Sequence, residues 1–300
     1  MTKIARVFPR RTSLTPTDDL AFIGYHGGKR NGKSVMITNP LPLDKPNVDE
    51  VHVSCCFTWD IERAKELQKA WGQYYPVVKI GGAAFDDPCL NFTPGMYLKT
   101  GVTFTSRGCN NHCEYCLVPA REGRLQTIDD FPAGNIIQDN NLLQTGKAHI
   151  SKVIEMLKTQ NAASFSGGIE SDLVSDWFAN ELQSITVKNL FLACDSDDDI
   201  PALQKATQKL CLLDRFHTHT KLMCYVLIGR ETIEQAMARL ESVWEIGAMP
   251  FAQLFQPAEK WIDYSLEWRH LQRNWSRPAI IRVAHNECNP KEVGQECLTF

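Results

Sequence analysis

No stretch of this 300-residue chain approaches the roughly 18 consecutive apolar residues that a membrane span requires. The basic opening, MTKIARVFPRRTSL, has no apolar segment behind it, so the expected product is a soluble, unsecreted protein of the reducing cytoplasm. Charge of one sign is also lacking: 32 Lys and Arg stand against 35 Asp and Glu, a formal net charge of -3, with no long basic run. Nothing electrostatic therefore points to a membrane or nucleic-acid partner, although balanced charge does not exclude a nucleic-acid substrate. GxGxxG and P-loop spacings are absent too. NGKSVMI lacks the upstream glycine and the following helix of a phosphate loop, so GYHGGKRNG reads as a surface turn. There is no low-complexity segment and no internal repeat beyond a strand-helix alternation.

Cysteine is not scarce. Of the 11 cysteines, Cys109, Cys113 and Cys116 fall in the stretch TSRGCNNHCEYCLVPAREGR at C-x3-C-x2-C spacing. Three thiolates so close can wrap one soft metal centre within a single loop, and zinc and iron-sulfur clusters both accept such ligands. His112 could serve as a fourth ligand. A zinc knuckle closes its tetrahedron with a second Cys or His pair, and none follows nearby. Three cysteines around a four-iron cluster would instead leave one iron open to substrate. Most other thiols read as small buried hydrophobes.

With Tyr115 at the aromatic position, CNNHCEYC resembles the C-x3-C-x-aromatic-C loop of the radical S-adenosylmethionine superfamily. The resemblance is closest to the cobalamin-type and methylthiotransferase-like branches, whose Pro-x-x-Arg/Glu-Gly-Arg stretch is similar to LVPAREGR, with Pro119, Arg121 and Arg124. It implies a 4Fe-4S cluster on Cys109, Cys113 and Cys116. It also implies S-adenosylmethionine chelated at the open iron and an electron donor such as flavodoxin or ferredoxin. Reductive cleavage would give methionine and a 5'-deoxyadenosyl radical that abstracts hydrogen from substrate. By the same resemblance, Asp139, Asn140 and Asn141 would meet the methionine amine. Ser166, Gly168, Asp195 and Ser196 would reach the carboxylate or ribose. Gly229 in VLIGRE would make room for adenine, and backbone near Ala252 and Gln253 would read its edge. The rival from another class is a non-catalytic zinc-binding or electron-transfer module.

The expected fold is α/β: a partial (β/α)6 barrel over residues 99–275, preceded by a small, incomplete flavodoxin-like β-α-β domain over 1–98 and followed by a tail over 276–300. Residues 1 to 50 read as irregular, with LAFIG the one strand. VDEVHVSCCF and YYPVVKIGGAAF flank a helix carrying Ile61, Ala64, Leu67 and Trp71. This first domain resembles a cobalamin-binding domain, but His26 is not part of an Asp-x-His-x-x-Gly sequence, which argues against cobalamin. Barrel strands are expected at VTFTS, GNIIQDNN, AASFSGG, NLFLACDSD, LMCYVLIGR and PFAQLFQP. The cysteine loop would then lie at the carboxyl end of the first, where barrel enzymes keep their chemistry. Trp261, Trp268 and Trp275 are expected to stripe one amphipathic helix. Cys55, Cys56 and Cys89, or Cys288 and Cys297, are candidates for a second cluster. A methylthiotransferase proper would also need a C-terminal RNA-binding barrel, for which the last residues leave no room.

Overall fold

The structure, a computed structural model, describes residues 2–24, 28–30, 33–35, 45–86, 93–212, 219, 221–258 and 261–285. The expectations at His26, Cys89, Cys288 and Cys297 lie outside these residues. By packing, the chain divides into two compact units, Met1–Asn161 with Pro257–Trp261, and Ala162–Gln256 with Ile262–Phe300. Among the described residues no helix is long and apolar enough to cross a membrane.

The first unit opens with β1 (Ile4–Phe8), β2 (Ala21–Ile23), the short antiparallel pair β3 (Gly28–Arg30) and β4 (Lys33–Val35), and β5 (Glu50–Ser54). Helix α1 (Ile61–Gly72) and β6 (Val78–Gly81) follow. The strands make a parallel sheet in the order β2-β1-β5-β6, so the winding reverses direction at β1. Ala64, Leu67 and Trp71 of α1 are fully buried against Ala5, Val7, Val51 and Val53, which is the helix periodicity meeting the strand periodicity. IARVF is thus the central strand of a segment expected to be irregular. Arg6 hides it from the sequence pattern. The side chain is nonetheless buried, paired with Asp18 and donating to the carbonyls of Gly95 (2.9 Å) and Met96 (3.0 Å), which satisfies a charge that a sheet interior would otherwise exclude.

Next come β7 (Val102–Thr103), β8 (Ser106–Arg107), α2 (Val118–Glu122), β9 (Gln126–Thr127), β10 (Ile136–Ile137) and α3 (Lys147–Lys158). β7 and β10 pair in parallel, whereas β8 and β9 form a separate antiparallel pair. The expected strands VTFTS and GNIIQDNN are therefore each cut to two ladder residues. The cause is local: Asp139 takes the backbone N–H and hydroxyl of Thr105 and the hydroxyl of Ser106, which draws this backbone out of the ladder.

The second unit alternates regularly. It contains β11 (Ala163–Ile169), α4 (Asp176–Leu182), β12 (Val187–Ala193), α5 (Ile200–Cys211), β13 (Leu222–Ile228), α6 (Ile233–Ile246), β14 (Met249–Leu254), α7 (Leu266–Trp275) and α8 (Pro278–Ala284). β11 to β14 are parallel and pair neighbour to neighbour in chain order. On β13, Leu222, Cys224, Val226 and Ile228 are fully buried and alternate with partly covered residues, as for a strand packed hard on one face. The tryptophan stripe does not form. Ser265 caps α7, its side chain accepting the Trp268 N–H, so the helix begins after Trp261, and Leu271 with Trp275 makes the buried contact.

Candidate active site

The cysteine loop is the connection of the β8–β9 hairpin, in register Ser106↔Thr127 and Arg107↔Gln126. Gly108 starts it at φ +78°, and a Cβ there would meet the Arg124 carbonyl oxygen at 2.3 Å, so backbone packs directly on backbone. The loop closes through Cys109 N–H to Gly123 O (3.3 Å) and Leu125 N–H to Asn110 Oδ1 (3.3 Å). Pro119 sits in the first turn of α2, where its missing N–H costs nothing.

Glu122, at the end of α2, organises the base of this loop. Its carboxylate pairs with Arg107, accepts the Gly108 N–H at 3.2 Å and binds the Asn140 side-chain amide. Both ion-pair partners are close to nine-tenths covered, and the Arg107 guanidinium lies 4.4 Å from the Phe104 ring centroid. Gln144 holds the other side: Oε1 accepts the Asn110 N–H (2.9 Å) and Nε2 donates to Asn111 Oδ1 (2.8 Å). Glu122 stands at the acidic position of the Pro-x-x-Arg/Glu-Gly-Arg stretch, but the sequence does not show that it pairs with Arg107 and Asn140; Gln144 belongs to no motif, and its partners lie more than thirty positions away.

Cys109 and Cys116 are half-buried and Cys113 is exposed. Cys109 Sγ faces the Asn111 N–H at 3.4 Å, Asn141 Nδ2 at 3.9 Å and Gln144 Oε1 at 3.7 Å. Among the described residues, no group of three or more His, Cys, Asp or Glu side chains is drawn close enough to hold a metal ion. One hairpin thus carries all three sulfurs without converging them. The donor set nevertheless fits an iron-sulfur cluster: three thiols in one loop, with N–H groups directed at the Cys109 sulfur.

The expected amine-binding trio divides. Asp139 is buried, with its oxygens engaged by Thr105 and Ser106, and burial raises its pKa against those hydrogen bonds. His149 donates to or accepts from Thr105 Oγ1 at 3.1 Å, and burial lowers its pKa. Asn140 and Asn141 are the members that reach Glu122 and Cys109. The second unit holds the rest. The Ser166 carbonyl accepts the Tyr225 hydroxyl (3.0 Å), and Gly168 lies at φ +101° with open space where a Cβ would stand. Asp195 Oδ1 accepts the Leu227 N–H (3.1 Å), while Ser196 forms a capping box with Asp199. A Cβ on Gly229 would meet Tyr264 Oη at 2.5 Å, so the tyrosine ring packs directly on this glycine. Ala252 is fully buried.

Cys55 is buried and its thiol is pushed up to about 12, chiefly by burial, which makes it a poor thiolate. Cys56 lines a small cleft with Arg10, Ser54, Phe57, Asp60 and Tyr97. Arg10 and Asp60 pair there at 2.5 and 2.7 Å.

No protein-family model matches the chain. Over 122 residues it is 24% identical to the ribosomal protein uS12 methylthiotransferase RimO of Pseudomonas fluorescens, covering 39% of this chain and 26% of that protein. For RimO of Nitrosomonas europaea the figures are 26% over 122 residues, 39% and 25%. The chain thus matches about a quarter of the length of these curated relatives. Among solved structures, the radical S-adenosylmethionine methyltransferase TsrM from Kitasatospora setae, with cobalamin and a 4Fe-4S cluster bound, has a similar fold. The TM-score is 0.51 over 85% of this chain and 75% of TsrM, at 11% identity. Together these likenesses support a member of the radical S-adenosylmethionine superfamily. The argument against cobalamin does not stand. TsrM holds cobalamin in a fold shared across most of the present chain, so a missing Asp-x-His-x-x-Gly sequence excludes nothing.

Proposed function

We propose that this chain is a radical S-adenosylmethionine enzyme of the transferase kind, holding one 4Fe-4S cluster on Cys109, Cys113 and Cys116 and transferring a methyl or methylthio group. The observation that carries the reading is the cysteine hairpin itself, with three thiols at C-x3-C-x2-C spacing and amide donors aimed at Cys109. Cys109, Cys113 and Cys116 would hold the cluster, which would supply the electron for reductive cleavage of S-adenosylmethionine to methionine and a 5'-deoxyadenosyl radical. The protein binds and orients. Asn140 offers an amide acceptor for the methionine ammonium group, and Glu122 keeps that side chain beside the loop. The alternation of β11 to β14 with helices, and the parallel pair β7 and β10 before it, support a partial barrel. The order β2-β1-β5-β6 supports a flavodoxin-like unit.

The test is anaerobic reconstitution with iron and sulfide, followed by dithionite and S-adenosylmethionine. Release of 5'-deoxyadenosine is the expected result, and Cys113→Ala should lose both the brown colour and the cleavage. A stoichiometric zinc with no cleavage would sink the proposal and favour the metal-binding module.

A further inference from the structure

The environment of Cys109 is built from outside its own loop. Asn141 reaches it from beyond β10, and Gln144 reaches back across more than thirty positions to fix Asn110 and Asn111. Through Gln144, the Asn111 backbone N–H is held 3.4 Å from Sγ, while Asn141, almost fully buried, brings Nδ2 to 3.9 Å. As a thiol, Cys109 donates to Gln144 Oε1 at 3.7 Å. Once that proton is lost to make a metal ligand, Gln144 Oε1 still has the Asn110 N–H, and the sulfur keeps two N–H donors. Donors on a cysteinyl sulfur withdraw electron density from the iron it binds, and so favour the reduced cluster.

We infer that Asn141 is a positioning residue that sets the reduction potential of a cluster ligated by Cys109, with Gln144 locking the Asn111 amide into the same collar. The inference rests on the cluster assignment proposed above. Its role is electronic and precedes any contact with S-adenosylmethionine. An Asn side chain is suited to the task because its amide donates without adding charge; leucine keeps the approximate volume and removes the donor, and aspartate removes the donor and adds a negative charge.

The experiment is a dithionite-poised redox titration of the full chain, followed by electron paramagnetic resonance of the reduced cluster, without S-adenosylmethionine. Iron and sulfide content are measured alongside. Asn141→Leu should keep its cluster and shift the midpoint downward, by about 59 mV for a tenfold loss in the preference for the reduced state of a one-electron couple. Asn141→Asp should move further the same way, and Asn141→Gln should restore part of the shift. A midpoint for Asn141→Leu equal to or above that of the unmodified chain, with iron content intact, overturns the inference and leaves the cluster assignment standing. Loss of iron in all three variants with native circular dichroism also overturns it, since Asn141 would then serve cluster assembly. If the unmodified chain itself takes up no cluster, both the inference and the proposed function fall.

Discussion

Removing the Glu122 carboxylate should loosen the base of the cysteine hairpin at a cost that the structure bounds. The Arg107 and Glu122 side chains are 9% and 12% exposed, so Glu122→Ala leaves a guanidinium covered and without its counter-charge. Breaking a buried pair from one side costs about 3–5 kcal/mol. The Phe104 ring keeps a favourable face toward Arg107, and a tenth of the pair sees solvent, so the lower end, about 3 kcal/mol, is expected. With a urea dependence of roughly 2–3 kcal/mol per molar, the midpoint should fall by about 1 M. The double variant Arg107→Met/Glu122→Leu should recover most of that loss, because neither charge remains to be left alone. The assay is urea unfolding followed by both circular dichroism and tryptophan fluorescence. A midpoint for Glu122→Ala within about 0.2 M of the parent would refute the reasoning. So would a double variant as unstable as the two single changes added together.

Asp139, raised in pKa by burial, holds its proton to higher pH when folded than when unfolded. Its stabilising contribution is therefore complete below the ordinary carboxylate range and is lost as pH rises through the elevated folded value. Asp139→Asn should flatten that part of the stability profile, because the Thr105 and Ser106 hydroxyls can turn to accept from the amide; parallel urea-midpoint profiles for the two proteins would contradict this. Trp71→Ala, at a fully buried position, should cost about 3–5 kcal/mol through the cavity it leaves, read from the same unfolding curves. Gly82→Ala should cost at least the ~1–3 kcal/mol of holding an alanine in a backbone region that essentially only glycine adopts. Gly82 has φ +106°, and the new Cβ would meet the Cys55 carbonyl oxygen at 2.6 Å; an unchanged melting temperature would count against that clash.

Where a segment's pattern and its packing agree, the sequence was readable. Ile150, Val153, Ile154 and Leu157 mark the buried face of α3, and the apolar runs around Leu190 and Val226 became β12 and β13. The cysteine spacing was legible because all three residues lie in the one loop that joins β8 to β9. What escaped notice depends on long-range pairing. β1 was obscured by one arginine whose partners lie near residues 18 and 95. β7 and β10 look long in sequence but are cut short by the grip of Asp139 on Thr105. Gln144 and Glu122 carry no periodic signal, and only the folded backbone brings them to the loop.

The position of β1 also bears on how the protein is made. Ile4–Phe8, an interior strand of its sheet, leaves the ribosome well before its partner Glu50–Ser54, which emerges more than forty residues later. At about 5–20 residues per second, that delay is roughly 2–9 s. A nascent chain must keep an apolar, half-finished strand from aggregating through that interval. A product lacking Ile4–Phe8 would retain every thiol of the hairpin yet have nothing to join Ala21–Ile23 to Glu50–Ser54 in that sheet.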